Sequence, residues 1–264
     1  MEELIPQIVP FLLVFSRLSG VMLAAPILAS TVIPGKVRVL LVFGLTAAVY
    51  PAVLPGALTG STIYPLANLD VFTLAVAVAG EVMLGFLVGL LAMLPVAAVQ
   101  LSGVVMSLQL GIGLGSIVNP ALETESDVIG ELLTHIALAA FLAMGGLELV
   151  FVAVCNSFAH VPLAGFGASL APLDLLVGTL QSGFELALRL SLPLMGLILM
   201  ETVATAFVSK TMPQLNILSI GFAVKILVGL GALVAGLRAI DHATGEHLRD
   251  VGRTLLEWTA RLGS

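Results

Sequence analysis

Long apolar stretches, parted by short polar breaks rich in glycine and proline, run the length of the chain. They extend approximately from Ile8 to Ala29, Val37 to Leu54, Val71 to Leu94, Pro95 to Leu110, Val128 to Val154, Leu175 to Val208 and Ile217 to Ile240. A helix crosses a bilayer core with roughly 20 apolar residues, so the pattern predicts an all-α, polytopic membrane protein. No polar break separates the third stretch from the fourth. As one helix from Val71 to Leu110 they would measure about 60 Å, twice the hydrocarbon thickness, and would have to tilt, kink at Pro95 or leave the bilayer. The segments "LPGALTGSTIYPLANLD", "SFAHVPLAGFGASLAPLD" and "SKTMPQLN" read as connections.

Composition agrees with the pattern. The chain of 264 residues is 59% hydrophobic and 10% charged, with mean hydropathy +1.16, whereas a soluble domain is about a quarter charged. A net charge of −6 without a basic cluster or interleaved aromatics excludes a nucleic-acid partner. Cys155 is the only cysteine, so no disulfide framework or cysteine-rich metal site is available, and it is expected to be a small buried apolar residue. Met1-Glu2-Glu3 lacks the positive region of a secretory signal, and the first segment is expected to be retained. Lys36 and Arg38 flank the first connection, and Arg238, Arg249, Arg253 and Arg261 lie near the C-terminus. Six spans would place these groups on opposite sides and seven would place both in the cytoplasm, so the basic residues favour an odd count.

Arg17, Glu81, Glu148, Glu185, Arg189, Glu201 and Lys225 interrupt the apolar segments. Each would cost roughly 2.5 to 3.5 kcal/mol at mid-bilayer if it faced lipid, so they must mostly face protein or water. Glu185 and Arg189 stand at i and i+4 with the acid first, the favourable order for a pair on one helix. Arg17 and Lys225 have no opposite charge one turn away and need partners from other helices or another subunit. Buried pairs that set helix register and a proton or ion pathway both fit this set.

The stretch "QLGIGLGSIVNPALETESD" ends a run from Val82 to Leu122 without Asp, Glu, Lys or Arg. Its G-x-G-x-G spacing is not the G-x-G-x-x-G of a dinucleotide site, no P-loop lysine follows, and Ser116 is not in a G-x-S-x-G elbow. Glycines two apart, followed by Asn119-Pro120, suit an extended or turning backbone. Such backbone is tolerated at membrane depth only inside protein or along an aqueous cavity. The segment therefore faces a pore or protein interior, or is an ordinary extramembrane turn. His242, Glu246 and His247 miss the zincin spacings and read as solvated. Leu248, Val251, Leu255, Trp258 and Leu262, spaced by three and four, form one apolar stripe, a docking helix for the membrane interface or a partner.

Several stretches together resemble one family. They are "FSRLSGVMLAAPIL" with "IPGKVRVLL", then "GEVMLGFLVG", then "LSGVVMSLQLGIGLGSIVNP", and finally "SLPLMGLILMETVATAFVSKTMPQLNILSIGFAVKILVGL". In this order, over nearly the whole chain, they are similar to the FliR/SctT family of type III export-gate subunits, and closer to its flagellar branch. Asn119 and Ala223 depart from it, where the family often has Asp and Pro.

The resemblance implies a non-enzymatic core subunit without cofactor, in the bacterial inner membrane at the flagellar basal body. The implied partners are FliP, FliQ, FlhB and FlhA, together with membrane lipid and unfolded flagellar export substrates. It implies a FliP-like part at 1–172, a FliQ-like hairpin at 173–240 and an amphipathic cytoplasmic tail at 241–264. Within loop 110–120, Leu110, Gly111, Ile112, Gly113, Leu114, Gly115, Ser116 and Ile117 would plug a central channel. Arg17, Glu81, Glu185, Arg189, Glu201 and Lys225 would serve pairing and assembly. Pro213, Gln214 and Asn216 would turn the hairpin, and the tail stripe would meet FlhB or the cytoplasmic export machinery. The alternative from the residues is a proton-coupled secondary transporter using Glu81, Glu148 and Glu201. An intramembrane hydrolase lacks a suitably spaced nucleophile and base, although His135 lies near Ser116.

Overall fold

A computed structural model describes residues 5–30, 32–59, 70–112, 127–165, 173–212 and 217–261. Seven helices form among them: α1 Ile5–Ala24, α2 Gly35–Thr59, α3 Val71–Leu110, α4 Val128–Ala143, α5 Gly146–His160, α6 Leu173–Thr211 and α7 Ile217–Arg261. Among the described residues there is no strand, as the apolar pattern predicts. Gly35–Val53, Val71–Leu110, Leu173–Thr211 and Ile220–Thr259 are long and apolar enough to cross a bilayer, and α4 with α5 would add a fifth span.

Three boundaries differ from a simple reading of the apolar runs. The stretches that meet at Pro95 form the single 40-residue helix α3, so the seven-span count does not apply. A proline inside an apolar helix is tolerated where neighbouring groups satisfy the freed carbonyl. The run Val128–Val154 is instead broken, because Gly145 adopts a left-handed conformation (φ 72°) and donates its N–H back to the Leu142 carbonyl at 3.0 Å. A helix cannot continue through that torsion. Finally, α7 runs unbroken past Ile240, where the hairpin and tail were divided.

The chain divides into two compact units. The first comprises Met1–Leu94, Phe141–Thr179 and Leu248–Ser264. In it α1 meets α3 almost backbone to backbone: a Cβ at Gly20 would overlap the Val82 carbonyl, and one at Gly85 would overlap the Arg17 carbonyl. One at Gly89 would stand 2.8 Å from the Val21 carbonyl. Gly85 and Gly89 make a G-x-x-x-G face, which permits this approach. α2 packs on α1, with Phe11 edge-on to Phe43 and Tyr50 at 5.7 and 5.4 Å, and also touches α5.

The C-terminal stripe docks within this first unit. Leu248, Val251 and Leu255 are only 6%, 7% and 1% exposed, Trp258 is half-buried, and a Cβ at Gly252 would reach Leu149 of α5 at 2.5 Å. The periodicity found the apolar face, and the chain itself buries Leu248, Val251 and Leu255 of it. Leu262 lies outside the described residues.

The second unit comprises Pro95–Ala140 and Leu180–His247. The end of α3 crosses α4 at Gly103 and Gly130, where a Cβ on Gly103 would overlap the Gly130 Cα. Met106, Leu110, Ile129, Leu133 and Ala137 are buried around this crossing. α6 and α7 come close at Thr205 and Gly221, with a Cβ on Gly221 reaching Thr205 Cγ2 at 2.9 Å. Their most apolar stretches are largely exposed: only 17% and 11% of these are buried, against 61% in α3. Phe184, Met200 and Phe207 of α6 and Leu227 of α7 are exposed.

Candidate functional site

Arg17, on α1, is fully buried and partnered. Its Nε donates to Glu81 Oε2 at 2.5 Å, one terminal nitrogen donates to Ser157 Oγ at 3.1 Å, and the other donates to the Val161 carbonyl at 3.3 Å. The guanidinium lies over the Phe158 ring, 4.2 Å from its centroid, a stacking that planar arginine favours. Glu81 is also fully buried, and its second oxygen accepts the Ala164 N–H at 2.8 Å. Ala164 is held in the left-handed region (φ 63°). That conformation costs about 1 to 2 kcal/mol, offset by a charge-assisted bond to the carboxylate. One ion pair thus ties α1, α3, α5 and the turn after α5. The pairing expected of Arg17 and Glu81 is internal to the chain.

Glu185 and Arg189 do not form the expected pair: both are exposed, and no ion pair joins them. The favourable spacing is present, but on an uncovered face a contact in water gains little. Glu201 and Lys225 are half-buried. Glu201 Oε1 accepts from Thr205 Oγ1 at 2.7 Å, and its side chain borders an apolar groove of about 260 Å³ lined also by Ala204, Val208, Ile220 and Val224. Among the described residues Lys225 has no ion-pair partner.

The glycine-rich stretch begins as a helix end. Leu110 is the last residue of α3 and fully buried; a Cβ at Gly229 of α7 would overlap its Cδ2. Gly111 is left-handed (φ 76°), its N–H reaches the Leu108 carbonyl at 3.2 Å, and the Ile112 N–H reaches the Ser107 carbonyl at 3.3 Å. These are the paired bonds of a Schellman terminus, which a glycine at this position makes cheap. Gly113, Leu114, Gly115, Ser116 and Ile117 lie outside the described residues, as do Pro213, Gln214 and Asn216.

Other expectations resolve simply. Cys155 is exposed rather than buried, because α5 turns Val150, Ala153, Val154 and Ser157 inward. His135 is exposed and bonded to the Glu131 carbonyl at 2.7 Å, and His242 lies 3.8 Å from Glu246 with both side chains exposed. The Gly85–Gly89 face is legible in "GFLVG" as a G-x-x-x-G spacing.

Comparison with known proteins agrees with the helical pattern. A family model described as "Bacterial export proteins, family 1" matches residues 8–251. The flagellar biosynthetic protein FliR of Aquifex aeolicus is 24% identical over 243 residues, covering 92% of this chain and 91% of the relative. FliR of Escherichia coli is 27% identical over 232 residues, covering 88% and 85%. The Yop proteins translocation protein T of Yersinia pestis is 24% identical over 238 residues, covering 89% and 88%. With an apolar all-helical architecture and a match over nearly its whole length, the chain belongs to the bacterial export proteins of family 1, the family that FliR and its secretion-system counterparts represent.

Proposed function

We propose that the chain is a core, non-enzymatic subunit of the flagellar type III export gate in the bacterial inner membrane. It assembles with FliP and FliQ, neighbours FlhB and FlhA, and helps to form the channel for unfolded export substrates. Residues 1–172 act as the FliP-like part and 173–240 as the FliQ-like hairpin, with the segment between α3 and α4 contributing a plug.

The observation that carries this reading is the largely exposed apolar surface of α6 and α7, against the well-buried α3. Exposed apolar surface on this scale marks a protein or membrane contact. Glu201 and Lys225 on the same helices favour protein as the cover, since a charge facing mid-bilayer costs roughly 2.5 to 3.5 kcal/mol. The transporter reading loses Glu81, which Arg17 and Ala164 already occupy.

Native mass measurement of the gently extracted chain, made with and without FliP and FliQ, tests the assignment. One complex of fixed composition is expected, against an unstable lone chain; a well-behaved monomer indifferent to both partners would overturn it. In that complex, deleting Gly111 to Ser116 is expected to raise ion leakage, because an apolar seal is removed. Unchanged conductance would remove the plug.

A further inference from the structure

We propose that the groove between α6 and α7 at Glu201 seats an apolar helix of a partner subunit, and that this helix brings one lysine or arginine to meet Glu201. The inference rests on the reading of the chain as an assembled export subunit, and adds where one partner lies and what chemistry it carries.

Two rows of side chains shape the groove. Glu201, Ala204 and Val208 of α6 stand at i, i+3 and i+7, while Ile220 and Val224 of α7 stand one turn apart. Residues so spaced share one face of a helix. Gly221, whose missing side chain lets Thr205 come close, leaves the line between the rows low. The walls are open, with Val208, Ile220 and Val224 exposed by 46%, 49% and 40%. Ridges flanking a low line are what a third helix packs into. At membrane depth a helix is also the backbone that fits, because it satisfies its own amides and carbonyls.

The one carboxylate among the described lining residues selects the occupant. Glu201 Oε1 accepts from the Thr205 hydroxyl at 2.7 Å. Its Oε2 lies 3.5 Å from the Thr202 hydroxyl, which already donates its single proton to the Ile198 carbonyl at 2.8 Å. Among the described residues no ion pair joins Glu201 to a cation, Lys225 of α7 included. An acyl chain would cover the apolar walls but offer the carboxylate nothing, and an anionic headgroup would repel it. A helix with one basic residue at this level matches both the rows and the charge, and the attraction grows as that helix excludes water.

The test uses the complete assembly in membranes, with a small diazirine amino acid in place of exposed Ala204 and the photolinked peptides mapped by mass spectrometry. The expected product joins this position to one apolar helix of a partner subunit, with a lysine or arginine within a turn of the linked residue. Glu201→Lys should lower the yield of complete assembly about tenfold, and replacing the mapped basic residue by glutamate should restore most of it. Links to lipid alone, to a second copy of this chain or to a helix without a basic residue overturn the proposal, as does a charge exchange that restores nothing. If Glu201→Lys fails to fold, neutral variants decide. Glu201→Gln and glutamine at the mapped basic residue should each lower the yield, and together lower it no further; independent losses overturn the pair. A chain that forms no complex loses the assembly reading and this proposal with it, whereas a complex in which position 204 links only to lipid loses the groove alone.

Discussion

Replacing Arg17 by methionine is expected to remove most of the recoverable folded protein, and to lower the temperature at which the remainder loses its monodisperse state in mild detergent. Glu81 would be left at a fully buried position with only the Ala164 N–H to meet it. Breaking one side of such a pair costs about 3 to 5 kcal/mol. Val161 would also lose the guanidinium donor that meets its carbonyl, a further cost of about 1 kcal/mol or more if the group stays buried. Set against a typical stability of about 5 to 15 kcal/mol, this approaches the whole margin.

Adding Glu81→Gln to Arg17→Met should recover part of the loss by removing the orphan charge. It should not recover all of it, because the Ser157 and Val161 contacts remain broken. Charge reversal, Arg17→Glu, should abolish assembly outright, since it places two carboxylates together. Normal complex yield from Arg17→Glu would show that the buried pair does not form in the folded chain.

The second large effect is expected from a single methyl group. Gly85→Ala puts a Cβ into the Arg17 carbonyl, a backbone atom that cannot rotate away, so α1 and α3 must separate along their closest line. Overpacking of a core typically costs about 1 to 3 kcal/mol, and the high end is expected here because the displaced atom belongs to the residue that holds Glu81. Gly178→Ala in α6, where nothing lies within 4 Å of the added Cβ, should instead gain up to about 1 kcal/mol of helix propensity. Thermal inactivation of the two variants side by side separates the effects. Equal midpoints would mean that the glycine contact between α1 and α3 is not as tight as described.

How far the chain could be read varies with the range of the interaction. The helices followed from apolar run length, and the need of Arg17 for a remote partner followed from the lack of an opposite charge one turn away. Its partner did not follow, because 64 residues separate Arg17 from Glu81 and spacing says nothing about which helices become neighbours. Glu185 and Arg189 show the reverse error: local spacing offered a pair that an uncovered helix face does not use. In the glycine-rich stretch, Gly111 turned out to end a helix, a role that depends on which carbonyls its own amide and the next one can reach.

From the residues alone came the all-helical membrane class, the absence of a nucleotide fingerprint, the apolar stripe of the C-terminal helix and the ordered motifs of the export family. All of these depend on composition or on period along one element, which a linear pattern records directly. Folding in three dimensions decided that Leu248, Val251 and Leu255 of the stripe are buried within the chain, that one buried ion pair ties three helices and a turn, and that Leu110 is held by a glycine on α7. These depend on close approach between distant segments. In an interior where any apolar side chain can meet any other, steric fit at glycines and the few buried polar groups select the partners.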